Sequence, residues 1–196
     1  MATRLLQHRA SSGERSVILA IDDEAWLLEG TSSIRALAQE ALDRRLSLLE
    51  TVQQYRKGDQ VDLAEAFAAG RLLAPIDHED PAHLLMTGTG LTHLGSAEGR
   101  DKMHKQALQA ETQTDSMRMF LEGLEGGKPG PGEVGQQPEW FYKGDGSQLV
   151  GPHQPLEMPA FAKDGGEEPE LAGVYIIDAE GKPWRIGFAL ANEFSD

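Results

Sequence analysis

LAGVYII at Leu171 to Ile177 and WRIGFAL at Trp184 to Leu190, joined by DAEGKP at Asp178 to Pro183, form the stretch on which the reading of the fold turns. The two runs are rich in β-branched and aromatic residues, and the Gly and Pro between them mark a hairpin loop of several residues. They are therefore expected to pair antiparallel. With the turn centred near Gly181, facing residues have numbers summing to roughly 362, which sets Glu168 and Glu170 against Asn192, Glu193 and Phe194 within a residue of register. Glu168 and Glu170 share a face because side chains two apart in a strand point the same way. Three carboxylates, Glu168, Glu170 and Glu193, thus converge at the open end of the hairpin.

Two unit charges about 4 Å apart repel by roughly 4 kcal/mol at an effective dielectric of 20. A cation, a raised pKa or full solvation has to relieve that repulsion. An all-oxygen ligand set without Cys suits a hard divalent ion, Mg²⁺ or else Mn²⁺ or Ca²⁺, rather than zinc. In a chain of net charge −14 the segment Asp164 to Glu170 also reads as an exposed acidic loop. The residues alone leave both readings open.

The 196 residues are 39% hydrophobic, enough for one moderate core or two small ones. Cys is absent, which excludes disulfides and thiolate ligands and fits a cytoplasmic protein. The basic residues of Met1 to Arg15 precede no apolar stretch of signal-peptide length, and no run of about 18 apolar residues occurs, so no membrane association is expected. With 18 Lys and Arg against 32 Asp and Glu, neither nucleic acid nor an anionic membrane is an expected partner. An anionic small molecule stays compatible, because a bound cation reverses the local potential.

Upstream, Arg4 to Arg9 and Ser16 to Asp22 read as strands around a Ser-Ser-Gly turn, with Leu5, Val17, Leu19 and Ile21 directed to the core. Thr31 to Ser33 offer N-caps to a helical pattern running to about Tyr55, and Asp62 to Ala69 reads as a short helix closed by Gly70. Arg71 to Ile76 reads as a further strand. The acids and histidines of Ile76 to His83 match no ligand pattern and read as a turn. Leu84 to Gly90 reads as a strand entering a Gly-rich bend; Gly88-Thr-Gly90 lacks the third Gly and the βαβ setting of a dinucleotide loop. Helices are expected over Ser96 to Ala110 and Thr114 to Glu125, then a Gly- and Pro-rich linker or lid at Gly126 to Gly132. A small α/β cap over 1–80, followed by a second domain over 81–196, gives an α+β class.

PEWFYKGDGSQLV from Pro138, DGGEEPELAGVYII from Asp164 and GFALANEFSD from Gly187 together resemble the fumarylacetoacetate hydrolase superfamily, nearest its GguC-type branch associated with bacterial sugar-acid utilisation. The resemblance implies a mixed-sheet β-roll catalytic domain whose front portion is 81–196, with further strands and another Lys expected beyond Asp196. It implies metal ligation by Glu168, Glu170 and Glu193, the last standing where the family usually has Asp. It also implies substrate contact by Tyr142 and Lys143, Lys143 orienting a substrate carboxylate. Gly90 to Glu98 resembles the family's Gly-Leu-Asn-Tyr loop, with Thr92 and His93 in the Asn-Tyr places and Ser96 where hydrolytic members carry a His. His93 is then either a substitute base or a hydrogen-bonded structural residue. The function implied is a divalent-metal-dependent lyase dehydrating a 2-keto-3-deoxy sugar acid through a metal-stabilised enolate, as a homodimer when full length. The rivals are a carbon–carbon bond hydrolase of diketo acids or acylpyruvates, a sugar-acid-binding protein without turnover, and an inactive fragment.

Overall fold

The computed structural model describes residues 2–89, 114–137 and 140–195, and the fold is α+β. The chain divides into two units, Met1–Pro81 with Gln148–Asp196, and Ala82–Ser147. The boundary at Pro81 lies one residue from the one read in the sequence, while the segment from Gln148 onward groups with the N-terminal part.

The first unit is built on an antiparallel meander of β1 (Thr3–Arg9), β2 (Arg15–Ile21), β3 (Glu24–Leu28) and β4 (Lys57–Gln60). The turn between β1 and β2 closes with Gly13 at φ +90°, a conformation that costs glycine least. β2 is apolar at successive positions, so it buries both faces. Val17 and Leu19 meet Leu28, Ile34, Leu37 and Val52 on one side, whereas Ile18 and Ala20 meet Ala25, Ala66 and Leu72 on the other. Leu5 and Ile21 are half-buried against the first of these clusters. β3 and β4 were not anticipated from the sequence. β4 (KGDQ) has no β-prone side chains and is held as an edge by pairing to β3.

In place of one long helix, α1 (Ile34–Arg44) and α2 (Leu48–Val52) are separated by Arg45 in the left-handed region at φ +56°. Leu46 N–H reaches the Ala41 carbonyl at 2.9 Å and Arg45 N–H the Leu42 carbonyl at 3.0 Å, which closes α1. Ser47 then restarts the helix with a capping box, its hydroxyl accepting from Glu50 N–H and Glu50 accepting from Ser47 N–H at 2.8 Å. Ser33 caps α1 as read, and Asp62 caps α3 (Leu63–Ala68), which ends ahead of Gly70 at φ +64°. The expected strand over Arg71 to Ile76 is corrected to an irregular segment along β1. It makes a single bridge, Leu72 to His8, and two flanking backbone bonds. The turn after it is structural: Asp77 receives two bonds from Arg15, at 3.0 and 2.8 Å, and one from the fully buried Gln7.

In the second unit β5 (Leu85–Thr89) pairs antiparallel with β6 (Trp140–Asp145), and α4 spans Asp115–Gly126. Gly88 belongs to β5 opposite Phe141, where a Cβ would stand 2.3 Å from the Phe141 ring and 2.8 Å from the Lys143 side chain. This close approach, rather than any phosphate loop, accounts for the glycine. The segment after α4 folds back on it through Gln136 N–H to the Gly126 carbonyl.

The remaining element of the first unit is the ribbon of β7 (Gly166–Ile177) and β8 (Pro183–Ser195). Both strands run several residues beyond the apolar runs that announce them. Ile176 is buried and Ile186 packs against the cluster around Val17, which ties the loop half of the ribbon to the core. Asp178 organises the loop by accepting from Glu180 N–H, Lys182 N–H and the Trp184 indole, at 3.0, 2.8 and 2.7 Å. The Trp184 bond, followed by the backbone bond from Lys182, holds the Asp178 carboxyl below its ordinary pKa.

Candidate metal centre

Facing residues in the ribbon sum to 361 from Gly166 to Val174, then slip by one at a bulge between Val174 and Tyr175, with Ile186 as the extra residue. The register read from the sequence is thus displaced by one, inside its stated tolerance. The displacement places Glu168 directly opposite Glu193, with Glu170 opposite Ala191 on the same face. β7 has a neighbour on one side among the described residues, an edge position that tolerates Pro169 between the two acids.

The three carboxylates offer oxygens that all lie within 4.8 Å of one another. Glu168 and Glu170 are exposed and Glu193 is half-buried. The donor set is hard oxygen throughout, as a hard divalent ion requires. At Ca²⁺ bond lengths, oxygens on opposite sides of the ion lie up to ~5 Å apart, so the observed spread suits it directly; an octahedral Mg²⁺ spans ~4.2 Å. Rotation about the terminal torsions of three glutamates covers the difference.

Tyr142 and Lys143 lie on β6 in the unit Ala82–Ser147, and the three glutamates belong to the unit that includes Gln148–Asp196. Tyr142 is exposed, and the Lys143 ammonium stands 4.6 Å from the centroid of the Phe141 ring, a cation–π contact. The slip in register between Met86 and Thr87 makes Lys143 the extra residue of a bulge. His93 lies outside the described residues. The expected helix over Ser96 to Ala110 does so as well.

Sequence reasoning passed over one further chemistry-bearing pair, His8 and Ser16. They face each other across β1 and β2 with Nδ1 3.1 Å from Oγ, beside a cleft of about 530 Å³ that Glu14, Glu29 and Asp59 also line. Burial, with Arg71 nearby, pushes the His8 pKa below its ordinary value, so the ring is neutral at pH 7. Such a pair becomes visible only when the strand register is known. Among the described residues no helix is long and apolar enough to cross a membrane. Comparison with protein-family models, with curated proteins and with solved structures returned no match for this chain.

Proposed function

We propose that Glu168, Glu170 and Glu193 bind a divalent cation, Mg²⁺ or else Mn²⁺ or Ca²⁺, for a cytoplasmic lyase that dehydrates a 2-keto-3-deoxy sugar acid. One observation carries the metal part: Glu193 stands directly across the strand pair from Glu168, with Glu170 on the same face and all three oxygens within 4.8 Å. The substrate class, and the assignment of Lys143 and Tyr142 to the substrate, rest on the resemblance to the fumarylacetoacetate hydrolase superfamily. A bound divalent ion would supply Lewis-acid polarisation of the 2-oxo group, which acidifies the neighbouring carbon. The protein's own part is to hold three ligand oxygens on one strand face, so that the ion meets a preassembled site. Net charge −14 sits poorly with an anionic substrate until a cation reverses the local field, which supports metal loading before substrate binding.

Calorimetric titration of the chain with Mg²⁺, Mn²⁺ and Ca²⁺ tests the site. Glu168→Gln, Glu170→Gln and Glu193→Gln should each weaken binding by about tenfold or more, a loss of ~1.4 kcal/mol or greater. Affinity unchanged by all three substitutions would exclude it. Loss of water from a 2-keto-3-deoxy sugar acid, against release of pyruvate from an acylpyruvate, then separates lyase from hydrolase. Metal binding without either product supports the non-catalytic sugar-acid-binding reading, which the solvent exposure of Glu168 and Glu170 favours.

A further inference from the structure

The cleft beside His8 and Ser16 is lined entirely from Met1–Pro81, and its charge is unbalanced. Glu14, Glu29 and Asp59 line it, all exposed, with Arg15 as the one Lys or Arg among the lining residues. Arg15 is already engaged, because its Nη2 donates to both oxygens of Asp77. Glu29 meets Arg56 at 3.5 Å, an exposed pair that solvent screens. The Glu14 and Asp59 carboxylates make no hydrogen bond or ion pair among the described residues. His8, only 7% exposed, also lines the cleft. Its Nδ1 is taken by Ser16, and its Nε2 has no hydrogen-bond partner among the described residues. No buried side-chain nitrogen or oxygen lacks a partner there, so Nε2 is reached by solvent from the space that His8 lines.

We infer that this cleft binds an extended organic cation, a polyamine whose ammonium groups meet Glu14, Glu29 and Asp59 while its methylenes lie along Ala10, Leu27 and Leu28. The volume, about 530 Å³, is that of a small-molecule site. The spacing of the acids selects an extended cation over a metal ion. Among the described residues only Glu168, Glu170 and Glu193 bring three ligand atoms within 4.8 Å of one another, so the acids of the cleft do not converge on a point charge. Glu14 precedes β2 and Asp59 lies on β4, two strands away in the sheet order, a lateral separation of about 10 Å. A compact ion cannot touch both, whereas amines joined by methylenes reach from one to the other. The apolar lining, with Leu28 buried, suits those methylenes and gives a bare metal ion nothing. In the tautomer whose Nδ1–H donates to Ser16, His8 Nε2 accepts an ammonium N–H, which fixes the ligand against the sheet. The cleft shares no residue with the glutamate cluster on β7 and β8, so it stands independently of the metal reading.

Calorimetric titration of the chain with spermidine at low ionic strength tests the assignment. Spermidine should bind with one-to-one stoichiometry, and more tightly than hexaamminecobalt(III), a compact ion of the same charge. Asp59→Asn and Glu14→Gln should each weaken spermidine binding by about fivefold. Glu180→Gln, at an exposed acid of the β7–β8 loop, and Glu168→Gln should leave it unchanged. Absence of spermidine binding overturns the proposal. Equal affinity for the two trivalent cations does so too, as does a response to Asp59→Asn and Glu14→Gln no larger than to Glu180→Gln, since either result means diffuse attraction to a chain of net charge −14. Loss of spermidine binding in Glu168→Gln would place the cation at the glutamate cluster and overturn it equally. Titration with Mg²⁺, read separately in the same variants, reports on the glutamate cluster alone.

Discussion

The β1–β2 hairpin and the β7–β8 hairpin carry the same kind of sequence and meet different fates. SVILAI in β2 and LAGVYII in β7 are both apolar at consecutive positions, the pattern of a strand covered on both faces. β2 has that cover, with α1 and α2 over Val17 and Leu19, and Ala66 and Leu72 over Ile18 and Ala20. β7 has it on one face, where Ile176 is buried, while Leu171, Tyr175 and Ile177 stay exposed. A hydrophobic run records that a strand is suited to burial, and a covering element has to be supplied separately. The outward face of the ribbon is left exposed, whereas β2 is covered on both faces.

The strongest way to break the contrast is to remove matching apolar groups from both places. Ile18→Ala, at a fully buried position, should cost about 2–5 kcal/mol through lost transfer energy and the cavity left behind. Leu171→Ala on the open face should change stability by less than about 0.5 kcal/mol. Urea unfolding of the two variants measures the difference. Equal losses would mean that the outward face of the ribbon is covered in solution.

A smaller effect is expected at Gln7, a fully buried polar residue in β1 with no counterpart in the ribbon. Its amide donates to the Ala74 carbonyl and Asp77, and its oxygen accepts from Ile34 N–H at 3.2 Å. Gln7→Ala leaves that N–H and the Ala74 carbonyl without these partners and should cost about 1–3 kcal/mol by urea unfolding. A loss confined to the first turn of α1, seen as faster exchange at Ile34 without a change in global stability, would show that Gln7 serves as a local cap.

The finest discrimination is by pH, because each hairpin contains one titrating group with a depressed pKa. The His8 pKa is lowered first by burial, so its neutral form supports the fold above the ordinary value of 6.5. That support is lost as pH falls from 6.5 through the lowered native value, while the unfolded chain takes up the proton first. Asp178 is lowered chiefly by the Trp184 bond, so its ionised form supports the ribbon loop above 3.8 and the support fades as pH falls below that. Amide exchange followed from pH 7 to 3 should therefore lose protection first in Thr3–Ile21 and only later in Ile177–Trp184. The reverse order would contradict both assignments.

Much of the first unit was legible because its signals are local. Ser33 and Asp62 are caps placed one residue before their helices, Gly13 and Gly70 stand where positive φ is needed, and the β1 and β2 runs alternate with turn residues. The break between α1 and α2 was also written in the chain, as Ser47 with Glu50 three residues on, yet the apolar spacing through Leu49 and Val52 masked it. β4 was not legible, since KGDQ is polar throughout and pairs because β3 lies beside it. Of the candidate site, the convergence of Glu168, Glu170 and Glu193 could be read from the chain because a hairpin ties register to loop position; the bulge at Val174 and Tyr175 could not.

By itself, then, the amino-acid order determined an antiparallel β7–β8 pair with its acids gathered at one end, because strand alternation and a short connection leave little freedom of register. Which apolar faces would be covered was decided only by the tertiary structure. Burial depends on elements distant in sequence, such as α1 and α2 against Val17 and Leu19, and no local pattern in β2 or β7 encodes their arrival. The grouping of Gln148–Asp196 with the N-terminal sheet is a decision of the same kind.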